Sequence, residues 1–306
     1  MMNLMTISQN LINLMTLENI NTPTLVVITG PTAVGKTEFT IQQALKYNTS
    51  ILSADSRQFY REMKIGTAFP SDEEISKVPH FFLGNKSIHD YYSVSKFEQD
   101  VLQILPELFK NNNIVILTGG SGLYIDAVCK GIDDIPDPDQ NIRDEVIQLF
   151  ENEGIEALRN RLKLLDPEFY EQVDLANHKR LMRAIEVSLQ MGKPYSWFLT
   201  NSSKKRDFNI LKYCLNRPRE ILYDRINSRV DNMISEGLLD EVKKLYPFKH
   251  LNALNTVGYK ELFDFIEGKI SLEDAIEDIK IHTRRYAKRQ LTWFKRDGEY
   301  INLNIN

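Results

Sequence analysis

Gly30-Pro31-Thr32-Ala33-Val34-Gly35-Lys36-Thr37 satisfies every fixed position of the phosphate-binding loop pattern G-x-x-x-x-G-K-[ST]. Its flanks supply the context the pattern needs. Leu25-Val26-Val27-Ile28 is a short apolar run of the kind that forms a buried parallel strand, and Glu38 to Lys46 reads as a helix. Strand, glycine-rich turn and helix in that order bring successive backbone N–H groups to a polyphosphate at the positive end of the helix. Lys36 would reach the phosphates as a point charge, and the Thr37 hydroxyl would ligate Mg²⁺.

Such a loop normally works with a second apolar strand that ends in a magnesium-binding Asp. Ile114-Val115-Ile116-Leu117, the best later buried strand, runs instead into Thr118-Gly119-Gly120-Ser121-Gly122, which argues against an ordinary ATPase. An acid does follow an earlier run, Ser50 to Ala54, as Asp55 of Asp55-Ser56-Arg57-Gln58. An Asp at the carboxyl end of a strand lies where parallel α/β sheets bind ligands. An Asp-Ser pair equally suits a helix or turn cap, and the residues alone leave both readings open.

Alternating strand and helix signals from Thr24 to about Lys130 predict an α/β fold with a P-loop NTPase-like parallel sheet. Asp133-Asp134-Ile135-Pro136-Asp137-Pro138-Asp139 interrupts it. Helical periodicity then covers Ile142–Asn152, Ile155–Leu164, Pro167–Gln172 and Lys179–Gln190, and Asn201 to Arg206 reads as a return linker. Ile210–Leu215 has strand character and Pro218 opens a long helix. The predicted domains are a frayed extension over 1–23, a core of 24–132 and 207–306, and a helical insert over 133–206. At 306 residues, net charge −4 and 42% hydrophobic residues, the chain is an ordinary soluble protein by composition. Cys129 and Cys214 do not suggest a disulfide framework, which suits the cytoplasm, and the five histidines lack zinc-like spacing. No run reaches the roughly 20 apolar residues of a membrane span.

Arg225 and Arg229 share a helix face beside the apolar Ile226, Val230 and Met233, and could clamp an anion or merely pair with Asp224 or Asp231. Lys179, Arg180 and Arg183 form a basic group in the insert. Arg284 to Arg296 sets cations at helical spacing around Tyr286 and Trp293, a pattern suited to a nucleic-acid backbone or to a solvated helix.

These stretches, with Gly66-Thr67-Ala68, Tyr92-Ser93-Val94, Gly119-Gly120-Ser121-Gly122-Leu123-Tyr124, Arg180-Leu181-Met182-Arg183, Val257-Gly258-Tyr259 and Tyr286-Ala287-Lys288-Arg289-Gln290, resemble the bacterial tRNA dimethylallyltransferases. Those enzymes prenylate an adenine beside the anticodon. The resemblance runs from about Thr24 to Asp297. It implies transfer of a dimethylallyl group from dimethylallyl diphosphate to N6 of adenine 37, in tRNAs reading codons that start with U, by a cytoplasmic monomer using Mg²⁺. It further implies that Asp55 is the general base, with Ser121 near the adenine, and that Gly30 to Thr37 and Arg229 hold the diphosphate. By the same resemblance Asp55, Ser56, Arg57, Gln58, Ser121, Arg143, Lys179, Arg180, Leu181, Met182, Arg183, Asn255, Thr256, Val257, Gly258, Tyr259 and Lys260 match segments that touch the tRNA anticodon stem-loop. Phe69, Gly84 and Lys260 depart from the family pattern. The rival readings are a prenyltransferase acting on free AMP or ADP, an ATP-binding small-molecule kinase, and a nucleotide-dependent switch.

Overall fold

The structure, a computed structural model, describes residue 17, residues 20–200 and residues 202–305. One compact unit runs up to Cys129 and resumes at Arg206; the other is Lys130–Lys205.

The first unit begins with β1 (Thr24–Thr29), buried at every residue, and passes through the phosphate loop into α1 (Lys36–Lys46). β2 (Ile51–Ser53) follows, then α2 (Asp72–Ser76), closed by a capping box in which Ser71 and Glu74 satisfy each other's backbone N–H. β3 (His80–Phe81), α3 (Val94–Asn111), β4 (Ile114–Thr118) and α4 (Gly122–Lys130) complete its first segment.

The insert consists of α5 (Gln140–Leu165), α6 (Pro167–Gln172) and α7 (His178–Met191). α5 merges the two helices predicted over Ile142–Asn152 and Ile155–Leu164, and Gly154 (φ 75°, ψ −169°) marks the break between them. Asp139, Asp166 and Asn177 cap the three helices, each accepting backbone N–H groups of the turn it starts. Asp166 is fully buried and also accepts from the Ser196 N–H and hydroxyl, so one carboxylate joins two segments of the insert. Val146, Leu158, Leu162, Leu181, Ala184 and Ile185 form the insert's own core.

After the insert come β5 (Asn209–Asn216), α8 (Arg219–Ser235), α9 (Leu238–Leu245), α10 (Tyr259–Ile266), α11 (Leu272–Lys295) and β6 (Tyr300–Asn304). Pro218 occupies the position just before α8, where its missing N–H costs no helical hydrogen bond. Arg206 anchors the returning chain: it donates to the carbonyls of Ala127 and Val128 and pairs with buried Glu98 at 2.6 Å.

Among the described residues six strands form one parallel sheet in the order β3-β2-β4-β1-β5-β6. β1 is central, with Thr24 opposite Ile114 on one side and Asn209 on the other. Alternation along the strands divides two apolar layers. Val26, Ile28, Ile116 and Leu215 pack with Phe39 and Ile226; Leu25, Val27, Leu52, Val115 and Leu117 pack with Phe97, Val101 and Ile125. A third cluster, including Leu238, Val242, Leu254, Tyr259 and Leu262, joins the C-terminal helices.

The extension predicted to fray reaches this core at its end. Leu17 is 3% exposed, its N–H donates to the Tyr47 hydroxyl at 3.0 Å, and Ile20 packs on the same cluster. The rest of that expectation, residues 1–16, 18 and 19, lies outside the described residues. Among the described residues no helix is long and apolar enough to cross a membrane.

Candidate active site

The phosphate loop leaves β1 through Gly30 (φ 146°), where a Cβ would lie 2.7 Å from the Leu215 carbonyl oxygen, so only glycine fits beside β5. Ala33 holds a left-handed conformation (φ 62°), unusual for a residue with a side chain, and Gly35 (φ 106°) turns the chain into α1. Four carbonyls of the loop accept from cations. Lys36 Nζ donates to Gly30 and Pro31 at 3.0 and 2.9 Å, Arg225 Nε to Ala33 and Arg217 Nε to Val34, both at 2.8 Å. With its carbonyls so engaged, the loop retains the first-turn amides of α1, which have no intrahelical acceptor.

Beside the loop is a cavity of about 310 Å³, lined by Thr32, Lys36, Thr37, Asp55, Gln58, Arg225, Arg229, Tyr286 and Gln290 among others. The loop, the acid after β2 and both arginines of α8 therefore meet. Of the alternative partners, Asp231 pairs instead with Lys280 at 2.7 Å. Burial lowers the Lys36 pKa to about 8, with Asp55 acting against that shift and Arg229 adding to it. Burial, then the neighbouring Arg225, lowers the pKa of Arg229. Burial, then the charge of Asp55, pushes the Tyr286 phenol upward, so it stays neutral beside the carboxylate.

Asp55 sits in a tight turn. Its Oδ1 accepts from the Arg57 N–H at 3.0 Å and its carbonyl from the Gln58 N–H at 3.1 Å. Gln58 Nε2 donates to the carbonyls of Thr67 and Ala68, both at 3.1 Å. Ser121 accepts from the Ser56 N–H at 2.9 Å and donates to the Ser56 hydroxyl at 3.1 Å. It is not among the residues lining the cavity, and its bonds go to the turn that carries Asp55.

The residues matched to tRNA-touching segments divide sharply. Arg57 spends its guanidinium within the protein, donating to the carbonyls of Asn252 (2.9 Å), Ala253 (3.0 Å) and Asn255 (3.4 Å). Tyr259 is fully buried and its hydroxyl donates to Glu241 at 2.7 Å, while Leu181 is core of the insert; neither side chain is a surface contact. In the insert Lys179 and Arg180 are exposed, and Arg183 donates to the Pro136 carbonyl at 2.5 Å and pairs with Glu186 at 3.4 Å. Arg143 and Met182 are half-buried. Two departures from the family pattern prove to be neighbours, for a Cβ at Gly84 would meet Phe69 Cζ at 3.2 Å.

α11 keeps Arg285, Lys288, Arg289 and Lys295 exposed, in line with the basic stripe predicted for it, while other residues of the helix turn inward. Trp293 Nε1 donates to Asp126 at 3.1 Å, with Arg296 on the same carboxylate, and Tyr286 turns into the cavity. Gln290, not singled out in the sequence, is 5% exposed; its Oε1 accepts from the Thr32 N–H at 2.8 Å and its Nε2 donates to the Gly120 carbonyl at 3.0 Å. The available signal was its place on the stripe of Ala287 and Phe294, where a polar residue must find buried partners.

A model described as IPP transferase matches residues 58–297. The chain belongs to the IPP transferase family. It is 52% identical over 277 residues to tRNA dimethylallyltransferase 1 of Bacteroides thetaiotaomicron, covering 90% of each chain. It is 53% identical over 275 residues to tRNA dimethylallyltransferase 2 of Parabacteroides distasonis, covering 90% of this chain and 92% of the relative. Among solved structures, the tRNA isopentenylpyrophosphate transferase of Bacillus halodurans is similar with a TM-score of 0.67 and 36% identity over 92% of this chain and 90% of that one. A eukaryotic dimethylallyltransferase acting on tRNA is similar at TM-score 0.74 and 25% identity, over 93% and 74% of the two chains. These structures share the P-loop-like α/β architecture of this family member.

Proposed function

We propose that this IPP transferase family member moves a dimethylallyl group from dimethylallyl diphosphate to N6 of adenine 37 in tRNAs that read codons starting with U, releasing diphosphate. The observation that carries the reading is the meeting of Asp55 with Lys36, Thr37, Arg225 and Arg229 around one cavity. The curated relatives named above support the same activity.

The C1–O bond of the allyl diphosphate breaks with its electron pair leaving on diphosphate, while N6 bonds to C1. Lys36, the loop amides and Arg229 stabilise the charge that builds on the leaving group. The exocyclic amine is a weak nucleophile because its lone pair is delocalised, and Asp55 accepts the proton it sheds. One oxygen of Asp55 is fixed by the Arg57 N–H, which aims the other. Adenine 37 leaves its stack in the anticodon loop to enter the cavity, and the insert holds the stem-loop. Mg²⁺ fits the donor set. Among the described residues no group of three His, Cys, Asp or Glu could cage a metal. The Thr37 hydroxyl offers the single protein oxygen that Mg²⁺ would take when phosphates and water complete its shell. When bound, it neutralises charge on the diphosphate. The two buried free thiols, Cys129 and Cys214, suit a reducing cytoplasm, where we place it as a monomer.

Labelled dimethylallyl diphosphate, offered with unmodified tRNA carrying an A36-A37-A38 loop and with AMP in parallel, tests this. Label is expected in tRNA alone. Label in AMP would move the chain to nucleotide prenylation, and label in neither would reopen the kinase reading.

A further inference from the structure

Glu241, on α9, is not among the lining residues of the cavity, yet three donors converge on it. Its Oε2 accepts from the Ile65 N–H at 2.8 Å, and its Oε1 accepts from the Gly66 N–H at 3.0 Å and the Tyr259 hydroxyl at 2.7 Å. The Tyr259 ring closes the contact from the other side, since a Cβ on Gly66 would lie 2.5 Å from its Cε2. Glu241 thus staples the segment 65–68 to the start of α10.

Both stapled segments hold the Asp55 turn. Thr67 and Ala68 supply the carbonyls that fix Gln58, and Ala68 keeps a left-handed backbone (φ 48°) to do so. The stretch Asn252–Asn255, just before α10, supplies the three carbonyls that fix Arg57. Arg57 and Gln58 carry the two N–H groups that close the turn on Asp55. We propose that Glu241 is a positioning residue for the transfer reaction: it locks the two supports of the Asp55 turn to each other and so fixes the carboxylate against the attacking amine. The inference rests on the proposed function, because it needs Asp55 to accept the proton of that amine.

The geometry also dictates the best variant. Glu241→Gln keeps the volume but replaces one acceptor oxygen with an NH₂, setting donor against donor at one of the Ile65 and Gly66 amides. A group held slightly out of line loses much of its effect on rate. We expect Glu241→Gln to lower kcat roughly tenfold while one diphosphate still binds per chain with unchanged affinity. Tyr259→Phe should lower kcat less, and the double variant should be no slower than Glu241→Gln alone, because both changes act through one node. Amide hydrogen exchange at Ile65 and Gly66 should quicken in Glu241→Gln. Three results overturn the proposal: full kcat in Glu241→Gln, a kcat loss matched by an equal loss of diphosphate-binding sites, or multiplicative losses in the double variant. A wild-type chain that prenylates no tRNA in the same assay would instead sink the function on which the proposal stands, and the proposal with it.

Discussion

Asp55 and Lys36 line one cavity and respond to opposite demands. In the proposed reaction the acid accepts a proton and contributes little to holding the diphosphate, which falls to the loop and its arginines. Asp55→Asn keeps the turn's acceptor oxygen and removes the base, so kcat should fall by about a thousandfold with diphosphate affinity nearly unchanged in calorimetry. Lys36 gives a pH signature. Because burial depresses its pKa to about 8, it is charged at neutral pH and loses its proton as pH rises through that value. Diphosphate affinity should therefore weaken by about tenfold between roughly pH 7 and pH 9. In Lys36→Met the affinity should be low throughout and flat across that range; a wild-type chain whose affinity is equally flat would remove Lys36 from the phosphate site.

Among the elements, α11 carries more than the exposed basic stripe its sequence suggests. Counted as charges, Arg284 to Arg296 reads as a basic stripe, and such spacing says nothing of what lies opposite. Folded, the helix brings Tyr286 and Gln290 over the phosphate loop, and Gln290 bridges Thr32 to Gly120. Gln290→Leu preserves size and strands the half-buried Thr32 N–H and the buried Gly120 C=O. It should cost about 1–3 kcal/mol of stability, read as a shift in denaturant midpoint, and should slow transfer more than Gln290→Glu, which keeps the acceptor for Thr32. β1, α1 and the loop between them were legible because strand period, glycine spacing and helix period agree within about twenty residues. Gln290 and Glu241 were not, since each acts through partners far away in the chain. Tyr259 and Leu181 lay in recognisable motifs, but a motif does not reveal which of its side chains face inward. Nor does the motif around Ser121 reveal that its hydroxyl bonds to Ser56.

In the whole molecule the unit that carries the sheet is interrupted by a second unit with its own core. The insert's ends adjoin, for the Lys204 N–H donates to the Lys130 carbonyl at 2.7 Å. A short Gly-Ser bridge replacing 131–204 should therefore leave a sheet that melts cooperatively and binds diphosphate within about threefold of the intact chain. Transfer to tRNA should drop by at least about a hundredfold, as expected for losing a contact surface that spreads over a large ligand. A bridged chain that still modifies tRNA at the full rate would show that recognition resides in the core unit.

The central place of β1 also imposes an order of events on a newly made chain. β1 comes early in the sequence, but its neighbours are β4 and, beyond the whole insert, β5. Parallel pairings across such separations close large loops, and loop closure makes them slow. Until β5 arrives, the Leu215 carbonyl that confines Gly30 is missing, as are Arg217, Arg225 and the α11 glutamine that hold the loop's shape. The most recognisable motif in this sequence is thus among the last parts of the protein to take its form, and affinity for diphosphate should emerge during refolding only with the final, slowest phase.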